Sequence, residues 1–123
     1  MHGGEVLDDR FSQQLKKGVL EMLVLRLIAE KPAYGYELLS LLKERSGGLF
    51  TLKEGTLYPI LYRLEDDKMI TAAWSKGEGR ISPKKIYSVT DEGRRETLRQ
   101  HKIWHEFTMT VGDFFKGGLS DGE

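Results

Sequence analysis

Helical spacing of apolar residues dominates the first two thirds of the chain. Residues 13–30 repeat leucine, valine and isoleucine at this spacing and carry further apolar side chains on other sides of the helix. Such a helix packs against two neighbours, which we expect to be its own domain and a second subunit. Pro32 ends it, because the residue before a proline avoids helical geometry. A second helix opens at Tyr34 and ends at Gly47 and Gly48.

Residues 51–70 form the most sharply two-faced segment of the chain. Its apolar face has the positions i, i+3, i+4 and i+7: Leu57, Ile60, Leu61 and Leu64. The opposite face suits contact with a polyanion and carries Thr56, Pro59 and Arg63, flanked by Tyr58 and Tyr62. A proline deep in a helix costs about 3 kcal/mol but is nearly free in the first turn. We therefore predict a capping box from Thr51 to Glu54, an irregular turn from Lys53, and regular helix only over residues 56–67.

Alternating apolar and polar positions predict two strands, residues 70–75 and 85–89. The turn between them contains glycines and a proline, and it is locally +3 because four cations face the lone Glu78: Lys76, Arg80, Lys84 and Lys85. A basic hairpin after a helix with a polar face is typical of a wing, which lies along phosphates beside the groove that the helix enters. The alternative is a solvated surface loop.

A last helix is predicted to begin after Thr90, which can cap it, and to reach about Lys116. Asp91 and Glu92 lie favourably at its positive end. Its second half carries more aromatic surface than a terminal helix can hide against a small domain, which indicates a dimer interface built with the first helix. The residues expected in this interface are Leu15, Val19, Met22, Ile103, Trp104, Phe107, Val111, Phe114 and Phe115.

Together these segments predict a helix that enters a DNA groove and a wing that contacts the DNA backbone. The expected DNA contacts are Thr56, Tyr58, Pro59, Arg63, Lys76, Arg80, Lys84 and Lys85. Two of them have a plainer alternative. Arg63 could pair with Asp66 or Asp67 on its own helix, and Tyr58 could be partly buried under the wing.

Composition narrows the class of protein. The 123 residues suit one domain, and 39% hydrophobic with 31% charged residues is ordinary for a soluble protein. No apolar run approaches the roughly 20 residues that span a bilayer, and the first residues do not resemble a signal peptide. Cysteine is absent, which excludes disulfides and thiolate metal sites. We therefore expect a cytoplasmic protein that does not enter a membrane.

The net charge is zero, but the charge is unevenly distributed. Residues 13–90 hold 13 Lys or Arg against 9 Asp or Glu, a balance of +4, whereas residues 1–12 and 91–123 are each at −2. A basic middle between acidic ends fits a DNA-facing module with a separate partner-facing part. We accordingly divide the chain into a flexible tail (1–12), a DNA-binding domain (13–90), a dimerisation helix (91–118) and a disordered tail (119–123).

Catalysis and metal binding have little support in the sequence. There is no glycine-rich phosphate loop, no nucleophile elbow and no pair of carboxylates in an evident pocket, so we expect no enzyme activity and no cofactor. His101 and His105 lie four residues apart on the last helix, but a third metal ligand is not evident because Glu106 points elsewhere. Alternatively, the two histidines belong to a dimer surface that is sensitive to pH.

Three segments resemble one known family. AYGYELLSLL at 33–42, GTLYPILYRLEDDKMI at 55–70 and YSVTDEG at 87–93 resemble the PadR-like transcriptional regulators, over residues 15–93 and with the basic wing in between. The single C-terminal helix resembles the short branch of that family. The resemblance implies a mainly α, α+β fold: a winged helix-turn-helix with a two-stranded β wing and a long C-terminal dimerisation helix. It also implies a homodimer that represses transcription from a pseudo-palindromic operator, often with release by a small molecule.

Two positions depart from the family pattern. Lys68 stands where the family commonly has glycine, at a cost on the order of 1 kcal/mol if the backbone there is left-handed. The wing is also longer, by Ile81 and Ser82. Trp104 matches a tryptophan on which some short-branch relatives stack flat aromatic drugs at the dimer centre, so the resemblance implies an effector site there; the alternative is that Trp104 is interface core. A winged-helix module that binds protein instead of DNA is the alternative function.

Overall fold

Four helices and one small antiparallel sheet make up the part of the chain that the computed structural model describes, residues 9–77, 79 and 82–118. In chain order the elements are α1 (Arg10–Glu30), β1 (Ala33–Tyr34), α2 (Gly35–Arg45), α3 (Glu54–Asp66), β2 (Ile70–Trp74), β3 (Lys85–Val89) and α4 (Asp91–Asp113). Within these described ranges, no helix is both long enough and apolar enough to cross a membrane.

The sheet has the strand order β1-β3-β2, and both pairs of strands are antiparallel. β2 and β3 form the predicted wing, in a register that places Trp74 opposite Lys85. The sequence did not predict β1, in which Ala33 pairs with Tyr87. The chain leaves α1 already extended at Lys31, as a residue before proline prefers, and this conformation continues into a strand. The predicted winged helix-turn-helix fold is confirmed, with a third strand added to its sheet.

The core lies where α1, α2 and α3 meet the inner face of the sheet. α3 contributes its whole predicted apolar stripe, whereas α1 contributes through its C-terminal half and leaves Phe11 and Leu15 exposed. The buried apolar residues are Leu20, Val24, Leu25, Leu27, Ile28, Ala33, Leu38, Leu42, Leu57, Ile60, Leu61, Leu64, Ile70 and Tyr87. The core therefore packs against α3 on the side opposite its polar face.

α1 begins earlier than the sequence predicted. Its first residue is Arg10 rather than residue 13, because the Asp9 side chain caps the helix by accepting a hydrogen bond from the Ser12 N–H at 2.9 Å. This corrects the end of the predicted tail over residues 1–12, whose last three residues are helical. Residues 1–8 and 119–123, which complete the two predicted tails, lie outside the described part of the chain.

The start of α3 also differs from the prediction, and the predicted capping box is wrong. Lys53 is the N-cap residue, while the Thr51 hydroxyl donates to the Gly48 carbonyl oxygen at 2.7 Å. Pro59 consequently lies inside α3 instead of in its first turn. The hydrogen bond that the proline removes is the one to the carbonyl of Gly55, and water can replace it because Gly55 is exposed.

A strained residue follows the end of α3, at the position where the sequence departs from the family pattern. Lys68 has a left-handed φ of 63°. The Met69 N–H donates to the Leu64 carbonyl oxygen and the Lys68 N–H to the Glu65 carbonyl oxygen, both at 2.9 Å. This helix ending usually takes glycine at the left-handed position, so a lysine there is strained by about 1 kcal/mol.

α4 begins in tight contact with the end of α3. Thr90 caps α4 as predicted: its hydroxyl oxygen accepts from the Gly93 N–H at 3.0 Å, and its O–H donates to the Lys68 carbonyl oxygen at 2.7 Å. Gly93 packs so closely on the Met69 carbonyl that a Cβ would overlap the oxygen. α4 ends at Asp113, earlier than the predicted Lys116, and the residues that follow it form turns.

Candidate nucleic-acid interface

The exposed face of α3 carries most of the predicted helix contacts. Three of the four, Thr56, Pro59 and Arg63, are exposed along it, and so is Tyr62, which flanks them. The opposite stripe of the same helix is buried, so the backbone positions of these side chains are fixed by the core. A face that is both exposed and held on a rigid element is suited to docking in a groove.

Tyr58 lies at the edge of this face and is half-buried. Its ring packs on the first residue of α2, where a Cβ added to Gly35 would come within 2.6 Å of the Tyr58 hydroxyl oxygen. Glycine at this position thus allows α2 and α3 to approach closely. The hydroxyl lies beside the N-terminus of α2, where the backbone N–H groups and the helix dipole favour an anion.

Arg63 is held by α1 instead of by its own helix. Its Nε lies 3.7 Å from Oε1 of Glu21, and both side chains are more than a third exposed. A long, solvated ion pair of this kind is worth roughly 0–1 kcal/mol. Arg63 can therefore exchange Glu21 for a phosphate or a base edge at small cost.

The wing presents Lys76 and Lys84 as exposed cations. Ser75 closes the base of the wing: its N–H donates to the Lys84 carbonyl oxygen at 2.7 Å, and its hydroxyl oxygen accepts from the Lys84 N–H at 2.9 Å. The Lys84 ammonium lies 4.8 Å from the centre of the Tyr36 ring, which stacks on Tyr34 at 5.7 Å. The base of the wing is therefore tied to the start of α2.

The other two predicted wing cations differ from these lysines. Arg80 lies outside the described residues. Lys85 is half-buried, and its ammonium faces α3, with Nζ 3.5 Å from Oε1 of Glu65. Three rings surround the same ammonium with their centres between 5.9 and 6.0 Å away: Tyr62, Trp74 and Tyr87.

Tyr87 lies beneath this cluster, on the core side of the sheet. Burial, with smaller contributions from Tyr58, Glu65 and Tyr62, raises the pKa of Tyr87 to about 12. The phenol therefore stays neutral throughout the physiological pH range, so the charge balance near Lys85 depends on the carboxylate of Glu65.

A second surface, the α1/α4 groove, lies between those two helices and is open and mostly apolar, with a volume of about 930 Å³. Six residues of the predicted dimer interface line it: Leu15, Val19, Met22, Ile103, Trp104 and Phe107. The other three, Val111, Phe114 and Phe115, are exposed further along the chain. Leu49 and Phe50 also line the groove and were missed, because the connection that contains them shows no periodicity.

The polar side chains of the groove include an ion pair on α4. Glu96 accepts two hydrogen bonds from the Arg99 guanidinium, each at 2.9 Å, and this guanidinium holds the pKa of Glu96 below its usual value, with burial opposing. Trp104 and Phe107 stack on the same helix with their ring centres 6.5 Å apart. Among the residues that the structure describes, no three His, Cys, Asp or Glu side chains lie close enough together to hold a metal ion.

Sequence reasoning missed several neighbours of the predicted DNA contacts. Glu21 and Glu65 meet their cations across the fold, so no local pattern indicates them. Tyr36 likewise contacts the wing from α2. One local signal was present in the Tyr-Gly-Tyr segment at 34–36, where a glycine between two aromatic residues opens a helix and permits a close approach.

A helix-turn-helix whose second helix exposes a polar face, followed by a basic two-stranded wing, defines the winged helix-turn-helix class. The sequence matches the profile of the Transcriptional regulator PadR-like family over residues 24–99. This match covers more than half of the chain, which therefore belongs to the PadR-like family of transcriptional regulators. Membership of a family of regulators confirms that the protein is not an enzyme.

Two relatives show how much of the chain is shared. An uncharacterised protein of Lysinibacillus sphaericus is 34% identical over 104 residues, which are 82% of this chain and 92% of that protein. The negative transcriptional regulator PadR of Bacillus subtilis (strain 168) is 34% identical over 98 residues, which are 79% of this chain and 53% of that protein. The chain thus spans about half the length of the Bacillus subtilis relative.

Solved structures agree with the fold. A PadR family transcriptional regulator from Eggerthella lenta DSM 2243 has a TM-score of 0.77 at 32% identity, covering 88% of this chain and 91% of that one. A PadR-like transcriptional regulator from Bacillus cereus strain ATCC 14579 has a TM-score of 0.72 at 32% identity, covering 85% of this chain and 98% of that one. The similarity to both extends over nearly the whole of each solved chain.

Proposed function

We propose that this regulator binds DNA as a cytoplasmic homodimer and represses transcription from a pseudo-palindromic operator. In this proposal α3 enters the major groove and the wing lies along the adjoining phosphates. The observation that carries the proposal is the exposed polar face of α3, which its buried stripe supports, together with the exposed lysines of the wing that follows it. The Bacillus subtilis relative is itself a negative regulator, which supports repression over activation.

The proposed DNA contacts divide by role. Arg63 and Thr56 contact base edges from the exposed face of α3, and Pro59 packs against the groove wall. The hydroxyl of Tyr58 and the lysines of the wing contact phosphates, and Arg80 is expected to join them. Lys85 differs from the other cations, because its ammonium faces Glu65 on α3.

The α1/α4 groove supplies the proposed dimer interface. An open apolar surface edged by polar residues marks an interaction site, and a second copy would cover it in both chains at once. The residues proposed for the interface are Leu15, Val19, Met22, Ile103, Trp104, Phe107, Val111, Phe114 and Phe115. The dimer sets the spacing of the two α3 helices, which must be about 34 Å to reach half-sites one helical turn apart.

A gel-shift titration with the DNA upstream of the gene tests the proposal. The affinity should fall steeply as salt rises, because each phosphate contact releases counterions. Arg63→Ala should weaken specific binding by about 1 to 3 kcal/mol, as expected for an arginine that contacts a base. Arg95→Ala is the matched control. Arg95 is also an exposed arginine, but it lies on α4, which begins at the end of β3 farther from the wing turn.

Two outcomes would contradict this proposal. If an unrelated duplex competes as well as the upstream region does, the chain lacks specific DNA binding, and the alternative of a winged-helix protein-interaction module is favoured. If Arg63→Ala binds as tightly as the wild type, Arg63 is not a base contact.

Effector binding in the α1/α4 groove is a second candidate function. The stacked rings of Trp104 and Phe107 stand at the groove and offer a platform for a flat aromatic molecule. A polycyclic aromatic dye should bind the dimer and change its operator affinity, and Trp104→Ala should abolish dye binding at protein concentrations at which sedimentation shows that the variant is still dimeric. If the dye still binds to Trp104→Ala, Trp104 is not the platform for the ligand, and its role is to pack in the dimer interface.

A further inference from the structure

Lys85 faces α3 because of its place in the sheet. It is the direct cross-strand partner of Trp74, and Tyr87 lies two residues further along the same strand. Side chains of cross-strand partners and of every second residue share one face of a sheet. Tyr87 is buried in the core, so Lys85 and Trp74 lie on the inner face, at the end nearest the wing turn.

The contacts of Lys85 join the wing to α3. Its ammonium lies 3.5 Å from the Glu65 carboxylate, and both side chains are 31% exposed. The rings of Tyr62, from α3, and Trp74, from β2, lie near the same ammonium, at the outer limit of cation–π attraction. One side chain on β3 therefore contacts α3, β2 and its own strand.

Moving Lys85 to a phosphate would undo this arrangement. The ammonium would leave a partly desolvated carboxylate, and the Glu65 charge would then repel the DNA that Lys85 approaches. Lys76 and Lys84 have no such conflict, since both are exposed. The pair of Lys85 and Glu65 is electrically neutral, so it contributes little to the attraction between the wing and DNA.

We infer that Lys85 is a positioning residue: paired with Glu65, it clamps the wing against α3 and sets where the exposed wing lysines meet the DNA backbone. This inference rests on the proposed DNA-binding function. The clamp fixes the angle between the two parts of the interface, the helix that reads the groove and the wing that follows the phosphates. Glu65, an acidic residue beside a DNA-binding surface, thereby supports DNA binding.

The salt dependence of operator binding separates positioning from phosphate contact. Lys85→Met and Glu65→Gln should each weaken binding by about tenfold, because DNA must then order a freer wing. The slope of log affinity against log salt should stay close to the wild-type value, since the exposed wing lysines still reach the phosphates. A phosphate contact predicts otherwise: Lys85→Met would lower that slope by about 0.9 for each chain, hence about 1.8 for a dimer, and Glu65→Gln would tighten binding by removing a negative charge. That second pattern would overturn the inference. Lys76→Met is the matched control and should lower the slope.

A charge exchange protects the test against a simple folding defect. The double variant with Lys85→Glu and Glu65→Lys restores an ion pair of the same two groups, so it should bind more tightly than either single exchange. Thermal melts of all variants establish that each is folded at the temperature of the titration. A double variant that binds no better than the single exchanges would overturn the clamp.

Hydrogen exchange tests the clamp without DNA. Amides of β2 and β3 should exchange several-fold faster in Lys85→Met and Glu65→Gln than in the wild type, whereas Lys76→Met should leave them unchanged. Unchanged exchange in the first two variants would overturn the inference whatever the gel shift shows. Wild-type protein that binds no operator would instead overturn the proposed function, and hydrogen exchange would still decide whether Lys85 clamps the wing.

Discussion

α3 and α4 both carry an apolar stripe at helical spacing, but the chain covers one of them and leaves the other open. On α3, Leu57 and Leu61 are each 0% exposed. On α4, Ile103 is 48% and Phe107 is 59% exposed, and the buried residues of that helix are Gly93 and Thr97, both near its start. α3 is surrounded by α1, α2 and β2, whereas α4 keeps contact with the domain mainly along α1.

The difference shows what an amphipathic pattern does and does not specify. A stripe of apolar residues indicates that a helix face will be covered, but the cover can come from the same chain or from another one. The stability of the α3 region is therefore a property of the single chain, while in the proposed dimer the covering of the α4 face depends on protein concentration. Substitutions on the two stripes should separate these two kinds of stability.

The largest expected effect follows from opening the covered stripe. Leu61→Ala removes a fully buried side chain and leaves a cavity, so it should lower the free energy of unfolding by about 3 kcal/mol. Urea unfolding followed by circular dichroism measures this loss. Leu61 is not part of the proposed dimer interface, so this loss should be the same at low and at high protein concentration. A loss well below 1 kcal/mol would contradict tight packing at Leu61.

The next effect follows from charging the open stripe. Phe107→Glu should raise the dimer dissociation constant by at least about 100-fold, because it places a carboxylate in the proposed apolar interface. It should change the unfolding of the isolated chain little, since Phe107 is already exposed there. Sedimentation equilibrium measures the dissociation constant.

Leu98→Glu is the matched control for this substitution. Leu98 is an exposed apolar residue of α4, but it lies about 200° around the helix from Glu96, which lines the α1/α4 groove. Its substitution should leave dimerisation unchanged. Equal weakening by both variants would show that the interface does not use the groove side of α4.

Much of the winged helix could be predicted because its determinants are local. The stripe of α3 and the Thr90 cap each depend on residues within about two turns of each other, whereas the left-handed conformation at Lys68 was indicated only by comparison with the family pattern. Where two local rules competed, the prediction was wrong. The preference of Pro59 for a first turn indicated a late start for α3, but burial of the Leu57 stripe keeps the helix regular from Glu54.

Contacts between distant segments could not be predicted in the same way. β1 is two residues long, and it is a strand because β3 offers it an edge. The partners of Arg63 and Lys85 are set by helix packing and by strand register, so neither Glu21 nor Glu65 follows from spacing along the chain. The sequence indicated which residues were cationic, but the fold determines which of those cations already have partners.

A smaller effect should strengthen the covered region without touching the open one. Lys68→Gly relieves the left-handed strain at the end of α3 and should raise the free energy of unfolding by about 1 kcal/mol, less the entropy that glycine adds to the unfolded chain. Urea unfolding measures the gain, and sedimentation equilibrium should show an unchanged dimer. Lower stability in Lys68→Gly would mean that the lysine side chain contributes more than its backbone strain removes.

The smallest expected effect is a dependence of stability on pH. It comes from the α1/α2 junction, by which we mean the ion pair between the last residues of these two helices, Glu30 and Arg45. Arg45 donates to Glu30 at 2.6 Å and, together with the weaker partner Arg26, holds the pKa of Glu30 below its ordinary 4.5 against the opposing effect of burial. Because the folded pKa is the lower one, the stabilisation is fully present above about pH 4.5 and is lost as pH falls through the folded value.

Glu30 is 36% exposed, so the contribution is below about 1 kcal/mol. Glu30→Gln should therefore be slightly less stable than the wild type at pH 7, the difference should shrink as the pH falls through the lowered pKa of Glu30, and dimerisation at pH 7 should not change. A difference that persists in acid would assign the loss to packing at the junction, and a weaker dimer would connect this junction to the open face of α4.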